Sequence, residues 1–403
     1  MNLPTKTPLS DALRLLIGQG VDAIDTPALV LDLDAMKRNL ARMAEFAKKH
    51  DVRWRPHAKM HKSSALAKLQ MQAGAVGVCV QKTAEAEAMV AGGVNNVYIS
   101  NEVISQAKLG RVAALSHMLA ADNGQLAIAV DSPEGVTRLA QAMNDRRAAT
   151  GTPAVIDVFV EIDVGQGRCG VRPGAAAVSL VHEIRKHPAL RFAGLQAYQG
   201  RAQHLRSPQE RREAIGGVVQ DVEGTRKLIE AEGIAVELVT GAGTGSFVLE
   251  AASGVFGELQ AGSFLFMDGD YAKNERDPAQ PQFEHALFIK TQVMSADGES
   301  ADGEHVVCDA GHKSHAIDSG LPAVHSFGSE PELDYFNGGD EHGILRRARP
   351  GAELPALGEA LWLIPGHCDP TVNLHDTMIA VTGGLRAGKV ERIIRVDARG
   401  ALT

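Results

Sequence analysis

Between residues 52 and 266 the chain alternates short apolar runs with longer segments whose apolar positions recur every three to four residues. The short runs fall at 52–56, 76–80, 97–100, 126–130, 155–162, 192–197, 235–239 and 258–261, and their length and near-continuous apolar character predict buried strands. The segments between them, such as 82–91, 133–149 and 208–232, are rich in alanine and charge and predict helices. Eight strands alternating with helices predict an α/β fold, a (β/α)8 TIM-type barrel, with a doubly wound open sheet as the alternative. Past about residue 271 the pattern changes. Runs at 285–293, 304–310, 360–364, 378–382 and 389–396 are short, alternate in polarity and are divided by Gly, Asp and Pro turns, which predicts a smaller C-terminal β domain. The run 28–33 precedes the barrel and is expected to pair with that domain. The expected division is an N-terminal segment 1–34, a barrel 35–270 and a β domain 271–403.

In such barrels, chemistry collects at the C-terminal ends of the strands. Lys59 lies just past the first predicted strand, in Trp54-Arg55-Pro56-His57-Ala58-Lys59. With His57, His61 and Lys62 close in sequence, its pKa is expected to be depressed, as Schiff-base chemistry requires. Gly241-Ala242-Gly243-Thr244-Gly245-Ser246 follows the seventh strand, and Ala261-Gly262-Ser263 the eighth. Small-residue turns at those two loops are suited to cradle a phosphate with backbone N–H groups and hydroxyls. Gly165-Gln166-Gly167-Arg168-Cys169-Gly170 has dinucleotide-fingerprint spacing, but Val171-Arg172-Pro173-Gly174 follows, so no helix opens within it and that reading is rejected. It leaves Arg168 as a permanent cation at a strand end. His204 lies past the sixth strand, beyond Tyr198, and is a candidate base.

In Pro365-Gly366-His367-Cys368-Asp369-Pro370, continuing the strand 360–364 would put His367 and Asp369 on one side and Cys368 on the other. An imidazole and a carboxylate in register can hold a divalent metal, with Mn2+ or Mg2+ favoured over Zn2+. His375-Asp376 is a competing pair whose adjacent members would face opposite ways.

Composition narrows the class. The 403 residues carry a formal net charge of -8, with 44% apolar and 22% charged residues. A mildly acidic chain argues against a nucleic-acid partner. No apolar run approaches the ~20 residues of a membrane span, and the first twenty residues do not read as a signal peptide. Cys79, Cys169, Cys308 and Cys368 are scattered without CxxC spacing, which favours a reduced, cytoplasmic setting.

The motifs RPHAKMHK (55–62), VGVCVQK (76–82), EIDVGQGRCGV (161–171), GLQAYQG (194–200), TGAGTGS (240–246), ELQAGSF (258–264), DEHG (340–343) and PGHCDPT (365–371) resemble those of the fold-type III, alanine racemase-like pyridoxal-phosphate enzymes. Within them, the chain resembles the D-threonine aldolase and 3-hydroxy-D-aspartate aldolase group, related to the D-serine dehydratases, over nearly its whole length. The resemblance implies that Lys59 carries pyridoxal 5'-phosphate. Thr244, Gly245, Gly262 and Ser263 would hold its phosphate, Arg168 would face its pyridine nitrogen, and Gln81 and Tyr198 would flank it. His367 and Asp369 would bind the metal. In the dehydratase relatives the residue two after the histidine is a zinc-binding cysteine, and Asp369 in that place points to the aldolases.

The implied reaction is cleavage of a D-3-hydroxy amino acid to glycine and an aldehyde, with His204 or a hydroxide on the metal as base. Acetaldehyde and glyoxylate both remain open as products. Glyoxylate would call for an added cation, with His315, Arg201 and Lys313 as candidates. The alternatives are a D-serine or 3-hydroxyaspartate dehydratase and a non-catalytic pyridoxal-phosphate carrier. Relatives of this kind are often homodimers.

Overall fold

The computed structural model describes residues 10–296, 305–328 and 330–403. The opening nine residues of the segment read for a signal peptide, and the first residue of the run 304–310, lie outside them. The first strand, β1 (Ala28–Asp32), leads directly into the helix Leu33–Lys49, whose N-terminus is capped by the Asp32 carboxylate on the N–H groups of Asp34 and Ala35.

Eight parallel strands follow: β2 (Arg53–Trp54), β3 (Val78–Val80), β4 (Asn96–Ile99), β5 (Gln125–Val130), β6 (Ile156–Glu161), β7 (Leu190–Ala197), β8 (Leu238–Gly241) and β9 (Glu258–Leu259). Their order is β2-β9-β8-β7-β6-β5-β4-β3. A parallel bridge from His57 to Cys79, with the Cys79 N–H donating to Pro56 O at 3.0 Å, joins the two outer strands and curls the sheet into the expected barrel. The open-sheet alternative is excluded by that closure.

The intervening helices start where local chemistry satisfies their free N–H groups. Ser207 and Glu210 form a capping box ahead of Pro208–Ala231. Ser132 caps Pro133–Thr150, which ends on Gly151 at φ 73°. Between strands and helices, Ile99, Leu115, Val158, Leu195 and Val222 are buried in one continuous apolar layer. The barrel interior is mixed. Tyr98 packs on Phe159 with ring centroids 4.9 Å apart, beside the small residues Cys79, Ala127 and Ala129. Below them Arg55 donates to the fully buried Glu258 at 3.0 Å.

The C-terminal region is a second, largely antiparallel sheet. Its strands are β10 (Leu287–Ser295), β11 (His305–Cys308), β12 (Ala323–Val324), β13 (Leu333–Asn337), β14 (Gly343–Arg347), β15 (Ala360–Ile364), β16 (Thr377–Thr382) and β17 (Lys389–Arg395). The main path is β13-β14-β11-β10-β1-β16-β17, with β15 pairing β10 and β12. β1 lies antiparallel to β10 and parallel to β16 at the centre of this sheet. β12, β13 and β14 were not foreseen. They are short and carry exposed positions, so their apolar pattern is thin. No described helix is long and apolar enough to cross a membrane.

Arg55 offers a test of the barrel interior. Replacing it with Met leaves the buried Glu258 with the Thr240 hydroxyl at 3.0 Å and, as its remaining cation, the half-exposed Arg53, 3.1 Å from its other oxygen. Loss of about 3–5 kcal/mol in chemical denaturation is expected. The double replacement Arg55→Met with Glu258→Gln should recover much of it.

Candidate active site

The strand ends and the C-terminal sheet enclose a cavity of about 330 Å³. Ten of the predicted residues line it: Lys59, Gln81, Arg168, Tyr198, His204, Thr244, Gly262, Ser263, His367 and Asp369. Gly245 does not. Its N–H donates to Gln203 Oε1 at 2.9 Å and the residue faces a different hollow, so Ala242 and Gly243 take the cavity side of that turn. Gln203 Nε2 also donates to Ser246 Oγ at 2.8 Å, and Ser246 donates to the buried Glu250 at 2.7 Å. This chain pins the glycine turn from behind. Burial pushes Glu250 up to about 7.

At the opposite turn, a Cβ on Gly262 would stand 2.7 Å from the His57 carbonyl, so only glycine permits that approach. Thr244 Oγ1 accepts the Phe264 N–H at 3.0 Å and ties the two turns together. Small residues, converging backbone and the hydroxyls of Thr244 and Ser263 make this end of the cavity fit a phosphate.

Lys59 sits on a 3-10 turn capped by His57, and its Nζ lies 3.5 Å from Asp369 Oδ2. The expected depression of its pKa is not found. Burial works to lower it, but Asp369, with Tyr198 beyond, outweighs burial and the net direction is up. The neighbours counted on to depress it carry no charge toward it. Burial holds His57 well below the imidazole range and His61 at about 4, so both are neutral. Lys62 turns away to Glu85 at 2.7 Å.

Arg168 stands 5.7 Å from the Tyr198 ring centroid, with Glu161 at 4.0 Å behind it. Burial, with Glu102 adding repulsion, pushes Glu161 up to about 9, so the acid keeps its proton and leaves the guanidinium's charge to the cavity. No helix opens in the glycine motif; the next begins at Ala175. Gln81 approaches His57 Nε2 at 2.8 Å and Ser100 Oγ at 3.2 Å, so it holds the imidazole beneath Lys59.

The metal motif folds differently from the extended strand expected. β15 ends at Ile364, and Cys368–Val372 is a short helix with His367 as its N-cap residue. His367 and Asp369 nevertheless both face the cavity. Cys368 is fully buried the other way, with Sγ 3.4 Å from Met267 O. His367 Nδ1 is 2.7 Å from Asp318 Oδ2, which leaves Nε2 as the nitrogen open to a ligand. Asp369 Oδ1 is buried without a hydrogen-bond partner. An orphaned carboxylate oxygen beside an oriented imidazole fits a hard divalent cation. His375 instead approaches Ser314 O at 2.7 Å, and Asp376 accepts from Arg399 at 2.7 Å.

Asp268, Asp270, Tyr271, Asp318 and Ser319 also line the cavity and were missed. Asp268-Gly269-Asp270-Tyr271, in the loop region that follows the eighth strand, was the available signal. Asp318 had none, because its turn is irregular and distant in sequence. The three candidate cations for a substrate carboxylate lie outside the lining. His315 is buried against the Tyr335 hydroxyl at 2.9 Å, Lys313 pairs with Asp340 at 3.2 Å, and the Arg201 N–H donates to Gln166 Oε1 at 2.9 Å.

Comparison with known proteins gives the family and the fold. The model of the alanine racemase N-terminal domain matches residues 31–270, and a serine dehydratase domain model matches 286–381. D-threonine aldolase of Arthrobacter sp. is 43% identical over 95% of each chain. The chain belongs to the alanine racemase-like family of pyridoxal-phosphate proteins, in the D-threonine aldolase group. A 3-hydroxy-D-aspartate aldolase of Paracoccus denitrificans is 40% identical, with 96% of this chain and 95% of the relative covered. The crystal structure of D-threonine aldolase from Filomicrobium marinum superposes with a TM-score of 0.88 at 44% identity, covering 96% of this chain and 99% of that one. The match to that structure thus spans both the barrel and the C-terminal sheet.

Glu250 makes the cradle sensitive to pH in a defined sense. Its folded pKa of about 7 lies above the ordinary 4.5, so between those values the unfolded chain ionises it while the folded protein keeps it protonated. This group therefore subtracts stability as pH rises through that window. Glu250→Gln should equal the wild type near pH 4.5 and exceed it at pH 8, read as denaturant midpoints.

Proposed function

We propose that the protein is a pyridoxal-phosphate- and divalent-metal-dependent aldolase that cleaves a D-3-hydroxy amino acid of the D-threonine type to glycine and an aldehyde. The observation that carries this reading is the 3.5 Å approach of Lys59 Nζ to Asp369 Oδ2. It sets a Schiff-base lysine and a metal-type carboxylate in one cavity. Lys59 would hold the cofactor, with Thr244, Gly243, Gly262 and Ser263 at its phosphate, Arg168 toward its ring nitrogen, and Gln81 and Tyr198 alongside. His367 and Asp369 would hold Mn2+ or Mg2+ in preference to Zn2+.

Pyridoxal phosphate, when bound, supplies an electron sink for the pair released at Cα, and the metal supplies Lewis acidity at the β-hydroxyl. The chain's own residues do the rest. Lys59 exchanges with the substrate's amino group. His204 takes the β-hydroxyl proton, Cα–Cβ breaks, the aldehyde leaves, and Cα is reprotonated to give glycine.

Asp369 in place of a thiolate supports an aldolase over a dehydratase. The cavity also presents four carboxylates, Asp268, Asp270, Asp318 and Asp369, and its cations Lys59 and Arg168 are assigned to the cofactor. That balance favours a neutral β-substituent, as in D-threonine, over the second carboxylate of D-3-hydroxyaspartate. Four free, scattered cysteines support a cytoplasmic setting, and we propose a homodimer as the working assembly.

The test is a substrate panel with product identification. D-threonine should give equimolar glycine and acetaldehyde, with no ammonia, and borohydride should trap the cofactor on Lys59. Ammonia as the product would overturn the aldolase reading. Asp369→Ala, like excess chelator, should cut turnover at least about 100-fold while the cofactor's visible absorbance stays, because the two groups occupy separate residues. Mn2+ or Mg2+ should restore the chelated wild type. Cys368→Ala should keep metal affinity and activity within about threefold, since a thiol facing Met267 O is no ligand; loss of the metal in that variant would contradict the assignment.

A further inference from the structure

His204 does not stand alone. Its Nδ1 lies 2.6 Å from Asp270 Oδ2. The other oxygen of Asp270 accepts from Arg206 Nη2 at 2.5 Å, and Arg206 Nη1 donates to the Asp270 carbonyl at 2.8 Å and to Asn274 Oδ1 at 2.6 Å. Asn274 in turn donates to the Gln203 carbonyl at 2.9 Å. The Asp270 side chain is 9% exposed and His204 is 56% exposed, so the acid is the fixed partner and the imidazole the open one. Tyr271 stacks on the His204 ring, with centroids 6.2 Å apart and planes at 30°.

We propose that Asp270, clamped by Arg206, is the positioning residue that makes His204 a base. A carboxylate at Nδ1 fixes the imidazole as the Nδ1–H tautomer, so Nε2 carries the lone pair on the cavity side. Among the described residues no hydrogen bond occupies Nε2. When Nε2 takes the β-hydroxyl proton, the O–H electron pair left on oxygen becomes the second Cβ–O bond of the aldehyde and the Cα–Cβ pair remains at Cα. The positive charge then on the ring faces Asp270. The hydroxyl proton lost is matched by the proton gained at Cα, so the reaction is balanced without a co-reactant. The Arg206 clamp, with burial opposing it, keeps Asp270 below the usual carboxylate range, so the acid holds its charge while His204 cycles. This inference rests on the aldolase reading above and on His204 as the base.

The experiment is a double-mutant cycle on the holoenzyme with D-threonine, metal and cofactor. Asp270→Asn should lower kcat about 100-fold with KM within about threefold, because an amide can present its NH2 to Nδ1 and invert the tautomer. Asp270→Glu should recover part of the loss. His204→Ala should fall to a similar level, and His204→Ala with Asp270→Asn should fall no further, since without the ring there is nothing for Asp270 to position. A residue that only braces the loop would instead multiply its loss onto that of His204→Ala. Each variant's visible cofactor absorbance checks that the barrel has folded, and Arg206→Lys, which keeps the charge and loosens the fork, supplies a milder second perturbation.

Losses that multiply, or an Asp270→Asn enzyme within about threefold of wild type, would overturn the positioning role. Full activity of His204→Ala would overturn the base and this inference together while leaving aldol cleavage intact. Absence of glycine from the unmodified enzyme would instead overturn the function proposed above.

Discussion

The site depends on a short backbone latch between the end of the barrel and the C-terminal sheet. Gly269 N–H donates to Pro365 O at 2.8 Å, and Asp270 N–H to Gly366 O at 3.1 Å. The Asp268 carboxylate accepts the Cys368 N–H at 3.1 Å. These bonds register two segments about a hundred residues apart, so that His367 and Asp369 face Lys59 across one cavity. Gly366 packs so closely on the Gly320 carbonyl that a side chain there would displace one strand of the latch, which also carries Asp318 on its far side. β1, threaded between β10 and β16, gives the sheet its other fastening to the barrel through the helix Leu33–Lys49. Two of the three bonds join main-chain groups alone, which keep their geometry whatever side chains vary around them.

The latch also explains why the His367 motif is legible in sequence for a reason other than its geometry. Strand alternation places residues two apart on one side. Here the chain instead turns into a helix at Cys368, with His367 still extended at φ -145°. The imidazole leaves from the extended residue and the carboxylate from the first helical turn. Both reach the cavity because the latch aims that turn inward, and Cys368 is driven into the apolar layer beside Met267. The same pairing of faces thus arises from a different backbone.

What was legible depended on period and on position relative to strands. Parallel strands buried on both faces read as apolar runs, so the strand ends, and with them Lys59, Arg168, Tyr198 and Thr244, could be placed on one rim. Orientation within a turn was not legible: Gly245 belongs to the right loop but spends its N–H on Gln203, a residue in no motif considered. Long-range partners were hidden for the same reason. Asp318 and Asp270 acquire roles only through contacts with His367 and His204 that no local pattern encodes. Lys59 illustrates the electrostatic version of the problem. Its sequence neighbours suggested a positive field, yet burial strips His57 and His61 of charge, and the group that governs it is Asp369, 310 positions away.

Glu161 behind Arg168 and Glu250 behind the glycine turn are both acids that burial keeps protonated toward neutral pH, at about 9 and about 7. On the cofactor side the acids are thus silenced and the cations stand. On the opposite wall Asp318 is held below the usual carboxylate range by His367, against the effect of burial, and Asp270 by Arg206 and His204. A cation-rich half with Lys59 and Arg168 therefore meets an anion-rich half with Asp270, Asp318 and Asp369. Lys59 and Asp369 mark the seam. Burial works to lower the Lys59 pKa, and the attraction to Asp369 at 3.5 Å outweighs it. Anything that neutralises Asp369 removes the interaction that raises Lys59, so a cation on that carboxylate would ease the lysine toward the neutral amine that carbonyl chemistry needs.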